Sequence, residues 1–124
     1  MQMLEERIAR EGRVLPGNII KIDGFLNHRV DMRLMRELAR EFGRRFDLTG
    51  LTAVLTVEAS GIALGAMCAD EFGVPLVFAK KAKSDNIEGG LYQSDIYSYT
   101  YKKKVTLLVS SQWLGSGDRV LIVD

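Results

Sequence analysis

Apolar positions recur with the three-to-four-residue spacing of a helix face along two segments of the chain. Residues 2–11 form the first segment, and Gly12 is expected to end that helix. The second helix is predicted to begin after Asp31, a residue type that favours the N-cap position. The apolar positions are Met3, Leu4 and Ile8 on one side of the first helix and Met35, Leu38, Ala39, Phe42 and Phe46 at helical spacing in the second, where Arg and Glu fill the other face.

Two runs of β-branched and aliphatic residues flank a helical segment, and a third run ends the chain. Strand, helix and strand in this order predict a right-handed βαβ unit with a parallel sheet. The last run is apolar throughout, as is typical of a buried parallel strand. The segments are the strand 52–58, the small-residue turn 59–61, the helix 62–73 closed by Gly73, the strand 74–81 and the strand within 119–124.

Two less regular regions complete the predicted architecture. A turn at Pro16–Gly17 is expected to precede a short strand near 18–22. Further along the chain, the segment at about 82–90 is polar and contains glycine, which predicts a mobile loop. Alternating segments at 95–101 and 104–110, joined at Lys102–Lys103, predict an antiparallel hairpin. We therefore expect a doubly wound α/β core with a long hairpin excursion, forming one domain or part of one.

Composition narrows the class of protein. The chain has 124 residues, of which 47% are hydrophobic and 27% charged, which argues against disorder. The net charge of +1 predicts no strong field for nucleic acid, although a local basic patch stays open. We expect no membrane span and no signal peptide. A single cysteine, Cys68, excludes an intrachain disulfide and fits a reducing cytoplasm.

The segment Glu58–Gly61, with the sequence EASG, is the first candidate site. A strand that enters a tight turn and then a helix presents backbone N–H groups and the positive end of a helix dipole, where anions bind. Spacing alone favours an ordinary turn with Ser60 as the helix N-cap. Glu58 could orient a ribose hydroxyl or a metal-bound water, or it could be a solvated loop residue.

Charged residues at two other strand ends are further candidates. Lys80 and Lys81 would face the same crevice as the EASG turn and could neutralise a diphosphate, whereas Lys83 is expected to be a solvated loop residue. Asp124 ends the last strand, where acidic side chains meet ribose hydroxyls or a metal ion in α/β folds.

The remaining reactive or aromatic residues favour structural interpretations. His28 has no partner at zinc-ligand spacing, and Cys68 is expected to be a packed thiol. Tyr97, Tyr99 and Tyr101 could stack a base, but one face of a hairpin explains them more simply. The basic residues at 102–104 are predicted to form a solvated turn.

Five motifs resemble, in order and spacing, the bacterial xanthine phosphoribosyltransferases, which are purine-salvage members of the type I phosphoribosyltransferase family. They are GNIIKIDGFLNHRVDMRLM, TVEASGIAL, VPLVFAKKAKS, YSYT and DRVLIVD, and the resemblance covers residues 4–124. It implies a type I phosphoribosyltransferase-like parallel sheet flanked by helices, with a mobile loop and β-hairpin. In this family the VLIVD strand continues into a ribose-phosphate loop. The resemblance therefore implies that residues 1–124 are a partial domain, truncated after the strand ending at Asp124 and inactive alone.

The resemblance also implies a reaction. A glycosyltransferase of this kind joins xanthine to phosphoribosyl pyrophosphate and releases xanthosine 5′-monophosphate and pyrophosphate, with weaker action expected on guanine or hypoxanthine. Mg²⁺ would be bound through the pyrophosphate of the substrate, with no metal ligands from the protein. The implied enzyme is a cytoplasmic homodimer when full length, with small-molecule substrates and with neither nucleic acid nor membrane as a partner.

Site residues are carried over from the resemblance position by position. Ile20 and Asn27 match positions that contact the purine. Lys80, Lys81 and Asp124 are assigned as catalytic, and the segment 82–101 matches the loop and hairpin that close over the reacting centre. The positions that match the pyrophosphate-binding turn are Glu58, Ala59, Ser60 and Gly61, joined by Lys81.

Two alternatives remain on the same fold. One is a transcriptional regulator that binds phosphoribosyl pyrophosphate and DNA. It ranks lower because such proteins carry a basic domain before the core, whereas here the core begins near Met1 and the net charge is close to zero. The other is a phosphoribosyltransferase for another purine, either adenine or hypoxanthine and guanine.

Overall fold

The computed structural model describes residues 1–81, 90–98 and 102–124. Helices and strands alternate through the middle of the chain. The elements are α1 (Gln2–Glu11), β1 (Arg13–Leu15), β2 (Ile19–Lys21), α2 (Met32–Arg45), β3 (Ala53–Val57), α3 (Gly61–Phe72), β4 (Leu76–Ala79), β5 (Leu91–Ser98), β6 (Lys103–Ser110) and β7 (Val120–Ile122).

A parallel sheet with the strand order β4-β3-β7 forms the centre of the fold. β3 pairs in parallel with β4 on one side and with β7 on the other. The predicted strand-helix-strand unit and the parallel last strand are therefore confirmed. Because all three strands run in the same direction, the residues that follow them lie at one edge of the sheet.

Two helices, α2 and α3, supply half of the buried apolar side chains in the described part of the chain. Ala39 of α2 and Cys68 of α3 pack with Val54 and Val123 of the sheet region. A second cluster holds Phe25, Leu34, Met35 and Leu38 together, and Leu4 and Ile8 of α1 pack against it. No helix in the described part of the chain is long and apolar enough to cross a bilayer.

The predicted ends of the helices are largely confirmed. The carboxylate of Asp31 accepts hydrogen bonds from the N–H groups of Arg33 and Leu34, as expected for an N-cap. Gly73 closes α3 with a left-handed φ of +67°. Phe46 continues the helical spacing of the apolar positions but is 54% exposed. Phe46 is the C-cap residue with an extended backbone, so it no longer follows the buried face of α2.

A small antiparallel hairpin lies between α1 and α2. β2 lies within the strand predicted near 18–22, and its partner β1 was not predicted. All six residues of the two strands are exposed, so neither strand carries the alternating burial that makes a strand visible in a sequence. The connecting turn places Gly17 at φ +84° and Asn18 at φ +58°.

The second hairpin, β5–β6, is antiparallel as predicted. β5 begins at Leu91, four residues before the predicted start. The hairpin is joined to the sheet, since Lys80 and Leu108 exchange two backbone hydrogen bonds of 2.9 Å. The predicted loop at 82–89, with Lys83, and the hairpin residues 99–101, with Tyr99 and Tyr101, lie outside the described residues.

Candidate functional site

The carboxyl ends of β3 and β4 meet at one point. A carboxylate oxygen of Glu58, just after β3, accepts a hydrogen bond of 2.6 Å from the backbone N–H of Lys81, just after β4. The backbone N–H of Glu58 donates to the carbonyl oxygen of Ala79 at 3.1 Å. The structure therefore brings together two of the segments that the sequence singled out, and Glu58 is the residue that links them.

A cleft of about 300 Å³ opens at this junction. Its walls come from the turn after β3, the end of β4 and the start of β6. Glu58, Ala59 and Lys81 were expected at the site, whereas Lys103 and Val105 were not. Sequence reasoning assigned Lys103 to a solvated turn. Only the pairing of β6 with the end of β4 places Lys103 here, and a single sequence carries no direct signal for that pairing.

The EASG turn leads directly into α3. Ala59 and Ser60 are exposed, and the Glu58–Ala59 peptide bond is cis. Ser60 has helical dihedral angles, and its side chain makes no capping hydrogen bond. Ser60 is therefore the N-cap residue of α3, as the ordinary-turn alternative expected, but it lacks the side-chain hydrogen bond typical of a serine cap. The first turn of α3 thus lacks a side-chain cap, and its N–H groups suit an anionic ligand.

Asp124 lies on the other side of β3, close to the beginning of α3. A Cβ placed on Gly61 would lie 2.5 Å from Oδ1 of Asp124 and would also clash with the hydroxyl of Thr56. Thr56 is fully buried, and among the described residues its hydroxyl has no hydrogen-bond partner. Only glycine therefore permits the close approach of the α3 terminus to β7 at this position.

The two predicted purine contacts are exposed and lie on a different part of the chain. Ile20 is on β2, paired with Val14, and Asn27 follows in the turn region before α2. Neither lines the cleft at Glu58 and Lys81. Their role in purine binding stays a prediction.

The structure confirms the structural interpretation of Cys68. Its side chain is fully buried, and this burial raises the pKa of the thiol to about 11. His28 is exposed. Within residues 1–81, 90–98 and 102–124, no three His, Cys, Asp or Glu side chains come together in a way that could hold a metal ion.

Solved structures define the class of fold. The chain superposes on adenine phosphoribosyltransferase from Trypanosoma brucei with a TM-score of 0.69 at 20% identity, covering 96% of this chain and 53% of that one. It also superposes on the adenine phosphoribosyltransferase from Rhodothermus marinus with a TM-score of 0.66 at 23% identity, covering 98% and 69%. The fold is that of the type I phosphoribosyltransferases, as predicted.

Curated relatives narrow the class. Over the whole of this chain, proteins named xanthine phosphoribosyltransferase are 48% identical in Lachnoclostridium phytofermentans, 47% in Lactobacillus delbrueckii subsp. bulgaricus and 45% in Staphylococcus saprophyticus. The chain spans 64%, 66% and 64% of the length of these relatives. No protein-family model matches it. The resemblance of this chain to the xanthine phosphoribosyltransferases is therefore confirmed.

Proposed function

We propose that the full-length protein carrying this chain is a xanthine phosphoribosyltransferase. It transfers the phosphoribosyl group of phosphoribosyl pyrophosphate to xanthine, forming xanthosine 5′-monophosphate and pyrophosphate, with weaker action on guanine or hypoxanthine. The observation that carries the proposal is the 45–48% identity, across the whole chain, to relatives with that name. The basic cleft at the carboxyl edge of the sheet supports it.

The EASG turn and Lys81 are proposed to hold the diphosphate. As the diphosphate leaves, C1′ of the ribose gains positive charge, and catalysis then depends on positioning and on stabilising the leaving anion. The N–H groups at Ala59, Ser60 and Gly61 would bind phosphate oxygens at the start of α3. Lys81 would add positive charge from the wall of the cleft, whereas Lys80 does not line the cleft and its catalytic role stays a prediction. Glu58 would act through Lys81, since its carboxylate already accepts the Lys81 N–H.

Asp124 and the early part of the chain complete the proposed site. The carboxylate of Asp124 is exposed beside the α3 terminus, a position suited to accept hydrogen bonds from ribose hydroxyls. Ile20 would offer an apolar wall to the purine. Asn27 would offer one donor group and one acceptor group to an oxopurine edge.

The diphosphate would bring Mg²⁺ into this site. The carboxylate of Glu58 is engaged with a backbone N–H, and no described cluster of acidic or imidazole groups forms a metal site. These residues fit a cation held mainly by oxygens of the substrate and by water, as Mg²⁺ bound to phosphates usually is. When bound, the ion would offset the charge of the departing diphosphate.

The proposed enzyme is a cytoplasmic homodimer that acts on small molecules and has no nucleic acid or membrane partner. Light scattering coupled to gel filtration of the full-length protein tests the dimer. Gel-shift assays with promoter DNA test the alternative of a transcriptional regulator. Sequence-specific DNA binding without transferase activity would favour that alternative.

Turnover of four purines tests the proposed activity itself. The full-length protein is incubated with phosphoribosyl pyrophosphate, Mg²⁺ and xanthine, guanine, hypoxanthine or adenine, and the nucleotides are separated by chromatography. We expect the highest kcat/KM for xanthine. A preference for adenine, or for hypoxanthine and guanine, would assign the protein to another purine, and turnover of none would refute the transferase proposal.

A further inference from the structure

The antiparallel direction of β6 carries it across the carboxyl edge of the sheet. β6 meets the end of β4 at Leu108, through the two hydrogen bonds with Lys80. Because the strands run in opposite directions, the residues of β6 before Leu108 continue beyond the point where β4 ends. The first half of β6, beginning at Lys103, therefore stands beside the turn that follows β3.

Strand alternation decides which side chains of β6 face the cleft. Residues two positions apart in a strand lie on the same face. Lys103 and Val105 have this relationship, and both line the cleft together with Glu58, Ala59 and Lys81. Lys103 thus belongs to the cleft by the geometry of its strand as well as by its position in the lining.

The charges around the cleft match a diphosphate. Lys81 reaches it from the end of β4, and Lys103 reaches it from the hairpin. Among the described residues that line the cleft, Glu58 is the acidic one, and one of its oxygens accepts the N–H of Lys81. A diphosphate is negatively charged at both of its phosphate groups, and the cleft has a lysine on each of two separate walls. Each lysine ammonium is a compact cation with three hydrogen-bond donors, so it suits a phosphate group.

We propose that Lys103 is a diphosphate-binding residue, which contacts the diphosphate of phosphoribosyl pyrophosphate from the hairpin side while Lys81 and the EASG turn hold it from the sheet side. This inference rests on the proposed function and deepens it. Neither the composition nor the motifs of the chain assign a binding role to Lys103, and its position in the cleft is the basis for the proposal.

The test compares Lys103→Gln with Lys102→Gln in the full-length protein. Both variants lose one positive charge at the same hairpin, but Lys102 does not line the cleft. Loss of a charge-assisted hydrogen bond typically weakens binding by about tenfold or more. We expect the KM for phosphoribosyl pyrophosphate to rise about tenfold in Lys103→Gln, with the KM for xanthine little changed. Lys102→Gln should stay close to the wild type, and Lys103→Arg should recover most of the affinity.

Calorimetric titration with pyrophosphate and Mg²⁺ separates this inference from the proposed function. A weaker Kd in Lys103→Gln alone supports the diphosphate contact, even if no purine is turned over. Equal Kd values for wild type and Lys103→Gln, or equal losses in Lys102→Gln and Lys103→Gln, would overturn it. Matching circular dichroism spectra and melting temperatures are required of all variants, so that a folding defect is not read as weaker binding.

Discussion

The carboxylate of Glu58 accepts a 2.6 Å hydrogen bond from the backbone N–H of Lys81. This contact joins the turn after β3 to the residues after β4, across 23 positions of sequence. The carboxylate is half-buried, so the bond is shielded from full competition by water. A side chain expected to meet substrate therefore has a defined partner within the protein, and the shape of the cleft depends on it.

Substitution of Glu58 tests this positioning role. Glu58→Ala leaves the Lys81 N–H without its charged acceptor, so we expect kcat/KM to fall by about tenfold to a hundredfold in the full-length enzyme. Glu58→Gln retains an acceptor oxygen and should recover a substantial part of the loss. Steady-state kinetics with both substrates measures the effect. If Glu58→Ala and Glu58→Gln lost the same activity, the negative charge of Glu58 would be needed for catalysis, and the hydrogen bond to the Lys81 N–H would not explain the effect.

Gly61 is predicted to tolerate no side chain. A Cβ at this position would clash with the hydroxyl of Thr56 and lie 2.5 Å from a carboxylate oxygen of Asp124. We expect Gly61→Ala to lower the free energy of unfolding by about 1–3 kcal/mol, the usual cost of overpacking, and to displace Asp124 from the site. Urea unfolding measures the stability, and activity reports the displacement.

Gly117→Ala is the matched control for this substitution, because no heavy atom lies within 4 Å of the Cβ that it would add. Thr56→Ala combined with Gly61→Ala removes one of the two clashes and should restore part of the stability. Equal stability of Gly61→Ala and Gly117→Ala would show that the close approach to Thr56 and Asp124 is not needed.

Cys68 is predicted to be unreactive in the folded protein. Its burial raises the pKa of the thiol to about 11, so the thiolate that reacts with disulfide reagents is scarce at pH 8. We expect slow labelling of Cys68 by a chromogenic disulfide under native conditions and rapid labelling of Cys68 in denaturing urea. Rapid labelling of the native protein would contradict the packing of α3 against the sheet.

The Asp31 cap should make stability depend on acid pH. The N–H of Leu34, and then the Arg7 guanidinium, lower the pKa of Asp31 below its ordinary value of 3.8. A lowered pKa in the folded state stabilises the protein above the ordinary value, and this contribution is lost as the pH falls through the folded value. Thermal melts should therefore show a deficit for Asp31→Ala at neutral pH that shrinks towards pH 3.

Asp70→Ala, at an exposed position of α3, provides the control for the cap. It removes a carboxylate but none of the capping hydrogen bonds of α2, so we expect the melting temperature of Asp70→Ala to stay close to that of the wild type at neutral pH. If the deficit of Asp31→Ala were the same at pH 3 as at pH 7, the charge of Asp31 would make no contribution to the cap.

The βαβ unit was predictable because its segments carry strong local signals. β3 and β7 are runs of β-branched and aliphatic residues, Gly73 caps the end of α3, and the small residues of the EASG turn separate strand from helix. β1 gave no such signal, since it is three residues long and fully exposed. The outward position of Phe46 was missed because helical spacing continues to that residue, while the backbone leaves the helix there.

The candidate site was predictable only where its residues follow strand ends. Glu58 and Lys81 were located by that rule, although the hydrogen bond between them depends on the register of β3 and β4. Lys103 was missed because its position is set by the pairing of Leu108 with Lys80, a contact across 28 residues of sequence. Local patterns in a sequence do not determine which strand edge a hairpin joins.

The central claim is that the cleft at the EASG turn binds the diphosphate. The most direct test is to measure backbone amide chemical shifts by NMR during titration with phosphoribosyl pyrophosphate and Mg²⁺. In the isotope-labelled full-length protein, we predict saturable shifts at Ala59, Ser60, Gly61 and Lys81. A Ser60→Pro variant, which removes one N–H donor from the turn, should lose the shifts at Ala59, Gly61 and Lys81. The account would be contradicted if binding left the chemical shifts of these amides unchanged and instead changed those of other residues in the β4-β3-β7 sheet.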